Sequence, residues 1–97
     1  MKNTQNPDQF YTEIEASEMT GKMLKYVRQK ARIAQRELAK FASYTSRRTV
    51  QMVELQETAD PYWIMQQRKM YIKKFDQYAS TLWNQNIIRY KSIEEKK

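Results

Sequence analysis

The stretch "ARIAQRELAKFASYTSRRTVQMVE" (residues 31–54) is written in good helix formers, yet the polar run SYTS stands inside it at residues 43–46. Either those four residues ride on the surface of one very long helix, or they are the turn between two short ones. Leu24, Val27, Ala31, Ala34, Leu38 and Phe41 recur at alternating steps of three and four, which puts them on one helical stripe. Continued in phase, the stripe meets Thr45 and Arg48 before it recovers at Met52, Leu55 and Ala59, so it breaks where SYTS lies. Ile33 lies off the stripe and speaks for two helices.

Outward from this stretch, TADPYW (residues 58–63) is a firmer boundary. Pro61 disfavours helix at Asp60 and suits the first turn of a new helix, which Asp60 can cap. Beyond it, Ile72, Phe75, Ala79 and Leu82 form a second stripe flanked by Tyr71, Tyr78 and Trp83, read as one long aromatic-rich helix reaching about residue 93. Seven of the twelve aromatic residues lie between Tyr62 and Tyr90. That density fits a packed core or an oligomer interface, so Tyr71, Ile72, Phe75, Tyr78, Leu82 and Trp83 are the expected contacts of a homodimer or of a larger complex. A stacking platform for single strands would need exposed rings among Arg68, Lys69, Lys73 and Lys74, but the rings fall on the stripe.

Composition agrees with helices. The 97 residues are enough for one small domain, and a single Gly with two Pro is little punctuation for strands and tight turns, which makes the chain all-α. Cys and His are both absent, removing disulfides, thiolate and imidazole metal sites, and the commonest nucleophile and base pairings, so neither an enzyme nor a cofactor is expected. No apolar run approaches a membrane span, and the polar first residues resemble neither a secretory signal nor a transit peptide. The expectation is a soluble, intracellular protein.

Charge is unevenly spread. Of a net +7, residues 22–48 carry +8 and residues 61–97 carry +5, while residues 1–21 and 49–60 each carry −3. Arg28, Arg32, Arg36 and Lys40 stand four apart, so on one helix they would form a basic ridge, extended by Lys22 and Lys25. Like charges at that spacing repel by a few tenths of a kcal/mol per pair, a cost that makes sense under an anionic partner. A solvated face is the plain alternative.

The order Leu24, Arg28, then IAQRELAKFA (residues 33–42), SRRTV (residues 46–50), Glu54 and Pro61 resembles the lambda repressor and Cro type of helix-turn-helix. The resemblance covers about 40 residues. It departs from the family at Ser43 and Arg32, where glycines are usual, and by one extra residue between Ala39 and Val50. It implies that Leu38, Ala39 and Val50 lock two short helices at a fixed angle. It also implies that Gln35 meets a phosphate and that Ser46, Arg47, Arg48 and Gln51 face base edges in duplex DNA, with Arg28, Arg32, Arg36 and Lys40 on phosphates. The corresponding division is a flexible arm at 1–16, a DNA-binding region at 17–65 and a C-terminal helix at 66–97 for dimerisation or docking.

Other readings use the same residues. A long antiparallel hairpin of helices at about 18–58 and 61–93 would make a non-enzymatic structural or adaptor subunit. RRTVQMVEL also resembles the second loop and third helix of a histone fold, after a central helix from about residue 20 to 45. Tyr90 and Glu94 in YKSIE are spaced as in the tail signal of type VII secretion substrates. Glu54, Glu57 and Asp60 are a possible cation cluster, with a solvated face as the simpler account.

Overall fold

A computed structural model of the chain describes residues 18–44 and 46–96. The expected arm at 1–16 and Thr45 lie outside the described residues. Those described fold as five α-helices: α1 (Gly21–Lys30), α2 (Gln35–Phe41), α3 (Arg47–Glu54), α4 (Pro61–Phe75) and α5 (Ala79–Glu95), with a 3-10 turn (Asp76–Tyr78) between the last two. The all-α expectation holds, and Ser43, Tyr44 and Ser46 lie between α2 and α3, outside either helix. Neither the long hairpin nor the histone-like central helix fits, because α1 ends at Lys30.

The chain stops α1 and α2 in the same way, without glycine. At the end of α1 the Arg32 N–H donates to the Gln29 carbonyl (3.0 Å) and the Ile33 N–H to the Arg28 carbonyl (3.1 Å). At the end of α2 the Ser43 N–H donates to Lys40 (3.1 Å) and the Tyr44 N–H to Ala39 (2.8 Å). This paired closure is the Schellman motif, and its left-handed position is taken by Arg32 (φ 58°) and Ser43 (φ 68°). Both stand where the glycine-bearing pattern was expected to have Gly. Each tolerates a conformation that costs a side-chain-bearing residue of order 1–2 kcal/mol, so tertiary packing must hold it. Ile33 and Leu38, both buried, supply that packing.

Three side-chain caps set the helix starts. Thr20 Oγ1 accepts from the Met23 N–H (3.2 Å), Ser46 Oγ from Arg48 N–H (3.1 Å) and Asp60 Oδ1 from Tyr62 N–H (2.8 Å). The chain's one glycine, Gly21, serves proximity: a Cβ there would lie 2.6–2.7 Å from the carbonyl oxygens of Gln56, Glu54 and Val53. Its N–H donates to Gln56 O (3.0 Å), pinning the start of α1 to the end of α3.

The expected long C-terminal helix is two helices. Asp76, at φ 47° and ψ −119°, breaks it, and α5 returns along α4 and packs on α1. Two buried relays join the three. Gln67 Nε2 donates to Leu24 O (2.8 Å) while Trp83 Nε1 donates to Gln67 Oε1 (3.2 Å). Tyr71 Oη donates to Val27 O (2.6 Å) and accepts from Asn86 Nδ2 (3.0 Å). Burial pushes the Tyr71 phenol up to about 12, although the Asn86 hydrogen bond pulls the other way. Residues 66–96 are therefore part of the same core as α1 to α3. Tyr71 and Trp83, expected at an interface, are fully enclosed in it. Ile72, Phe75 and Leu82 are half-buried against that core, and Tyr78 alone of the expected interface set stands out, at 63% exposure. The aromatic density is explained by the fold-back of α5.

Candidate nucleic-acid interface

α3 divides into two faces. Val50 and Val53 pack inward among the core residues, and Glu54 is buried beside them. Arg47, Arg48, Gln51 and Met52 face solvent. Three of these four are the expected base-facing residues, whereas Met52, expected with Leu55 on the continued apolar stripe, is exposed like Leu55 and continues the outward face one helical turn beyond Arg48. Ser46 is exposed, but its hydroxyl is engaged in capping, so its first role is to start the helix.

Glu54 is the anchor of this arrangement. Its carboxylate accepts from Arg28 Nε (2.6 Å) and Arg28 Nη2 (3.2 Å), and from Gln35 Nε2 (2.9 Å). Arg28 Nη1 donates to Ile33 O (2.6 Å). One bidentate pair thus ties α1, the α1–α2 loop, α2 and α3 together. Arg28, only 6% exposed, is not a phosphate contact, contrary to the sequence expectation. The expected ridge is likewise not one helix flank: α1 stops before Arg32, and Arg36 and Lys40 belong to α2. Gln35 is half-buried, with its amide nitrogen directed to Glu54.

The remaining cations assemble across elements. Gln35, Arg36 and Arg47 line one shallow hollow between α2 and α3. Arg36 and Lys40 border a second with Ser43 and Tyr44 at the turn. From α4, Lys74 Nζ donates to Arg32 O (3.1 Å), and Lys73 Nζ lies 5.5 Å from the centre of the Phe41 ring. Lys73 and Lys74 therefore join Arg32 and the α2 end on one basic flank. Sequence spacing could not have shown that, because the approach of α4 to α2 is tertiary.

A groove of about 640 Å³ runs between α1, the end of α3 and α5, where Lys22, Lys25, Glu57 and Glu94 mix both charge signs beside Gln51, Leu55 and Tyr90. Burial and the neighbouring Glu94 carboxylate both raise the Tyr90 phenol. The acidic trio is dispersed in role, with Glu54 on Arg28 and Asp60 capping α4. No group of three potential metal-binding side chains occurs among the described residues. No helix of the described residues is long and apolar enough to cross a membrane. The chain matches no protein-family model, no curated protein and no solved structure in comparisons of sequence and fold.

Proposed function

We propose that α2, the turn and α3 form a DNA-reading helix-turn-helix of the lambda repressor and Cro type, with α3 entering the major groove. The observation that carries this reading is the two-faced α3: Val50, Val53 and Glu54 fix its rotation, and Arg47, Arg48 and Gln51 project from the other side. Arg47 and Arg48 have the planar forks that pair with guanine O6 and N7, and Gln51 can pair with adenine N6 and N7. Ser43 at positive φ supplies the turn conformation that glycine supplies in that family. Arg36 and Lys40 on α2, the helix packed against α3, serve with Arg32, Lys73 and Lys74 beside α2 as phosphate contacts. Five such contacts give a slope of log affinity against log salt of about −4 to −5. The protein is then a transcriptional regulator or a DNA-associated accessory protein, acting as a homodimer if its site is palindromic.

A second reading, a subunit docked in a larger assembly, draws on the exposed Ile88 and Ile93 of α5. One experiment separates the two: selection of pooled random duplex DNA by the purified chain across a salt series, with its mass in solution measured alongside. Enrichment of a short site, lost in Arg47→Ala with Arg48→Ala while helicity is unchanged, supports DNA reading. Binding that vanishes by physiological salt without an enriched sequence overturns it in favour of docking.

A further inference from the structure

Met52 is 55% exposed and Leu55, the residue that closes α3, is 76% exposed. Met52 stands one turn from Arg48 on the outward face of α3, while Leu55 and Gln51 border the groove that Lys22, Lys25, Glu57 and Glu94 also line. Single exposed apolar residues need no explanation, but Met52 lies one turn beyond Arg48 on the side opposite Val50 and Val53. A partner that meets Met52 and Arg48 together carries negative charge beside something apolar. The major groove of duplex DNA has that character: phosphates line its edges, and each thymine places a 5-methyl group on its floor.

Resting on the DNA reading above, we infer that Met52 is a specificity-determining residue that recognises the 5-methyl group of a thymine. Four residues of helix rise about 6 Å, so with α3 lying along the groove the methyl group stands about two base pairs from the guanine read by Arg48. The unbranched thioether follows the groove floor as a β-branched side chain would not. A membrane would ask for a longer apolar face than these two residues provide.

The test uses the full chain and the site enriched from random duplex. Each thymine of that site is replaced in turn by deoxyuridine, which removes only the methyl group. Binding should weaken about three- to fivefold at one position, the value of one methyl-sized burial, and be unchanged elsewhere. Met52→Ala should bind thymine and deoxyuridine equally at that position, with helicity retained because the side chain is exposed. An enriched site at which no deoxyuridine weakens binding, or at which Met52→Ala keeps the thymine preference, overturns this inference and leaves the DNA reading standing. Failure to enrich any site overturns both. Binding to phosphatidylserine-containing vesicles that Met52→Ala abolishes, without a thymine effect, overturns it in favour of a lipid surface.

Discussion

Replacing Glu54 with Gln tests whether the exposed face of α3 is held by a buried charge. The substitution keeps the shape and an acceptor oxygen, so it removes the charge and leaves the volume. In the native chain Arg28 and Glu54 are 6% and 5% exposed, and three of the four polar contacts around them converge on the carboxylate. In Glu54→Gln the guanidinium of Arg28 is left charged and enclosed, opposed only by the dipoles of the Ile33 carbonyl and the new amide oxygen. Breaking one side of a buried pair in this way costs about 3 to 5 kcal/mol. With the Gln oxygen still accepting one hydrogen bond, the lower figure applies. A domain of this size has of order 5–15 kcal/mol in all, so a loss of about 3 kcal/mol is a large share.

The assay is urea unfolding followed by circular dichroism. At a slope of about 1.5 kcal/mol per molar urea, the midpoint should fall by about 2 M, and Tm by roughly 12–24 °C. Arg47→Ala, an exposed cation in the same helix, is the control and should stay within about 0.5 kcal/mol. Arg28→Met together with Glu54→Leu should recover part of the loss, because no uncompensated charge remains. Recovery stays incomplete because Gln35 and the Ile33 carbonyl lose their partners. A Glu54→Gln chain within about 1 kcal/mol of the native one would refute the reasoning: Arg28 would then be reaching water, and the rotation of α3 would rest on Val50 and Val53 alone.

Other substitutions probe the remaining devices. Gly21→Ala drives a methyl group to 2.6–2.7 Å from three backbone carbonyl oxygens, and should cost about 1–3 kcal/mol in urea unfolding despite the better helix propensity of Ala. Ser43→Gly relieves the left-handed strain at φ 68° and should raise stability by about 0.5–1 kcal/mol, after allowance for the freer unfolded chain. Arg32→Gly should do the same to stability while making DNA binding less salt-dependent, with the log–log slope smaller by about 1. Tyr71 has its folded phenol raised from 10.0 to about 12, so its contribution is complete below pH 10 and is lost as pH rises towards 12, because the unfolded chain ionises first. Tyr71→Phe should lower stability at neutral pH by removing the phenol's hydrogen bonds to the Val27 carbonyl and from Asn86, and its unfolding midpoint should fall less steeply than the native one between pH 10 and 12.

What the sequence disclosed was local. Asp60 before Pro61 and the serines around the turn act within a few residues of themselves, and each appears in the structure where the pattern put it; the interrupted stripe holds only in part, with Leu24, Val27, Ala31, Leu38 and Ala59 buried but Ala34, Met52 and Leu55 exposed. Arg28 shows where that legibility ends. Its spacing of four from Arg32 looks like a shared helix face, but Arg32 sits at positive φ, so Arg28 is the last turn of one helix and Arg36 the first of another. Its partner Glu54 is 26 residues away, and no periodicity links them. The break at Asp76 was hidden for a related reason: Ile72, Phe75, Ala79 and Leu82 keep helical phase across it, and neither Gly nor Pro marks it. Phase records which residues face the core, and α4 and α5 each face the same core from opposite directions along the chain.

That shared core changes what the candidate interface depends on. Gln67 and Tyr71 bond the backbone of α1 at Leu24 and Val27, and Trp83 and Asn86 of α5 bond those two side chains in turn. α1 carries Arg28, and Arg28 orients Glu54 at the end of α3. The direction in which Arg48, Gln51 and Met52 project is therefore fixed through a chain of buried polar contacts that begins in the C-terminal helix. A bundle of five short helices with a single glycine has little sequence-local means of setting such an angle, since its turns are closed by Arg32 and Ser43 in conformations those residues disfavour. Buried hydrogen bonds supply it instead, because an unsatisfied carbonyl or amide in this core would cost about as much as the strain in either turn. The presentation of α3 and the packing of α5 are in this sense one property of the fold.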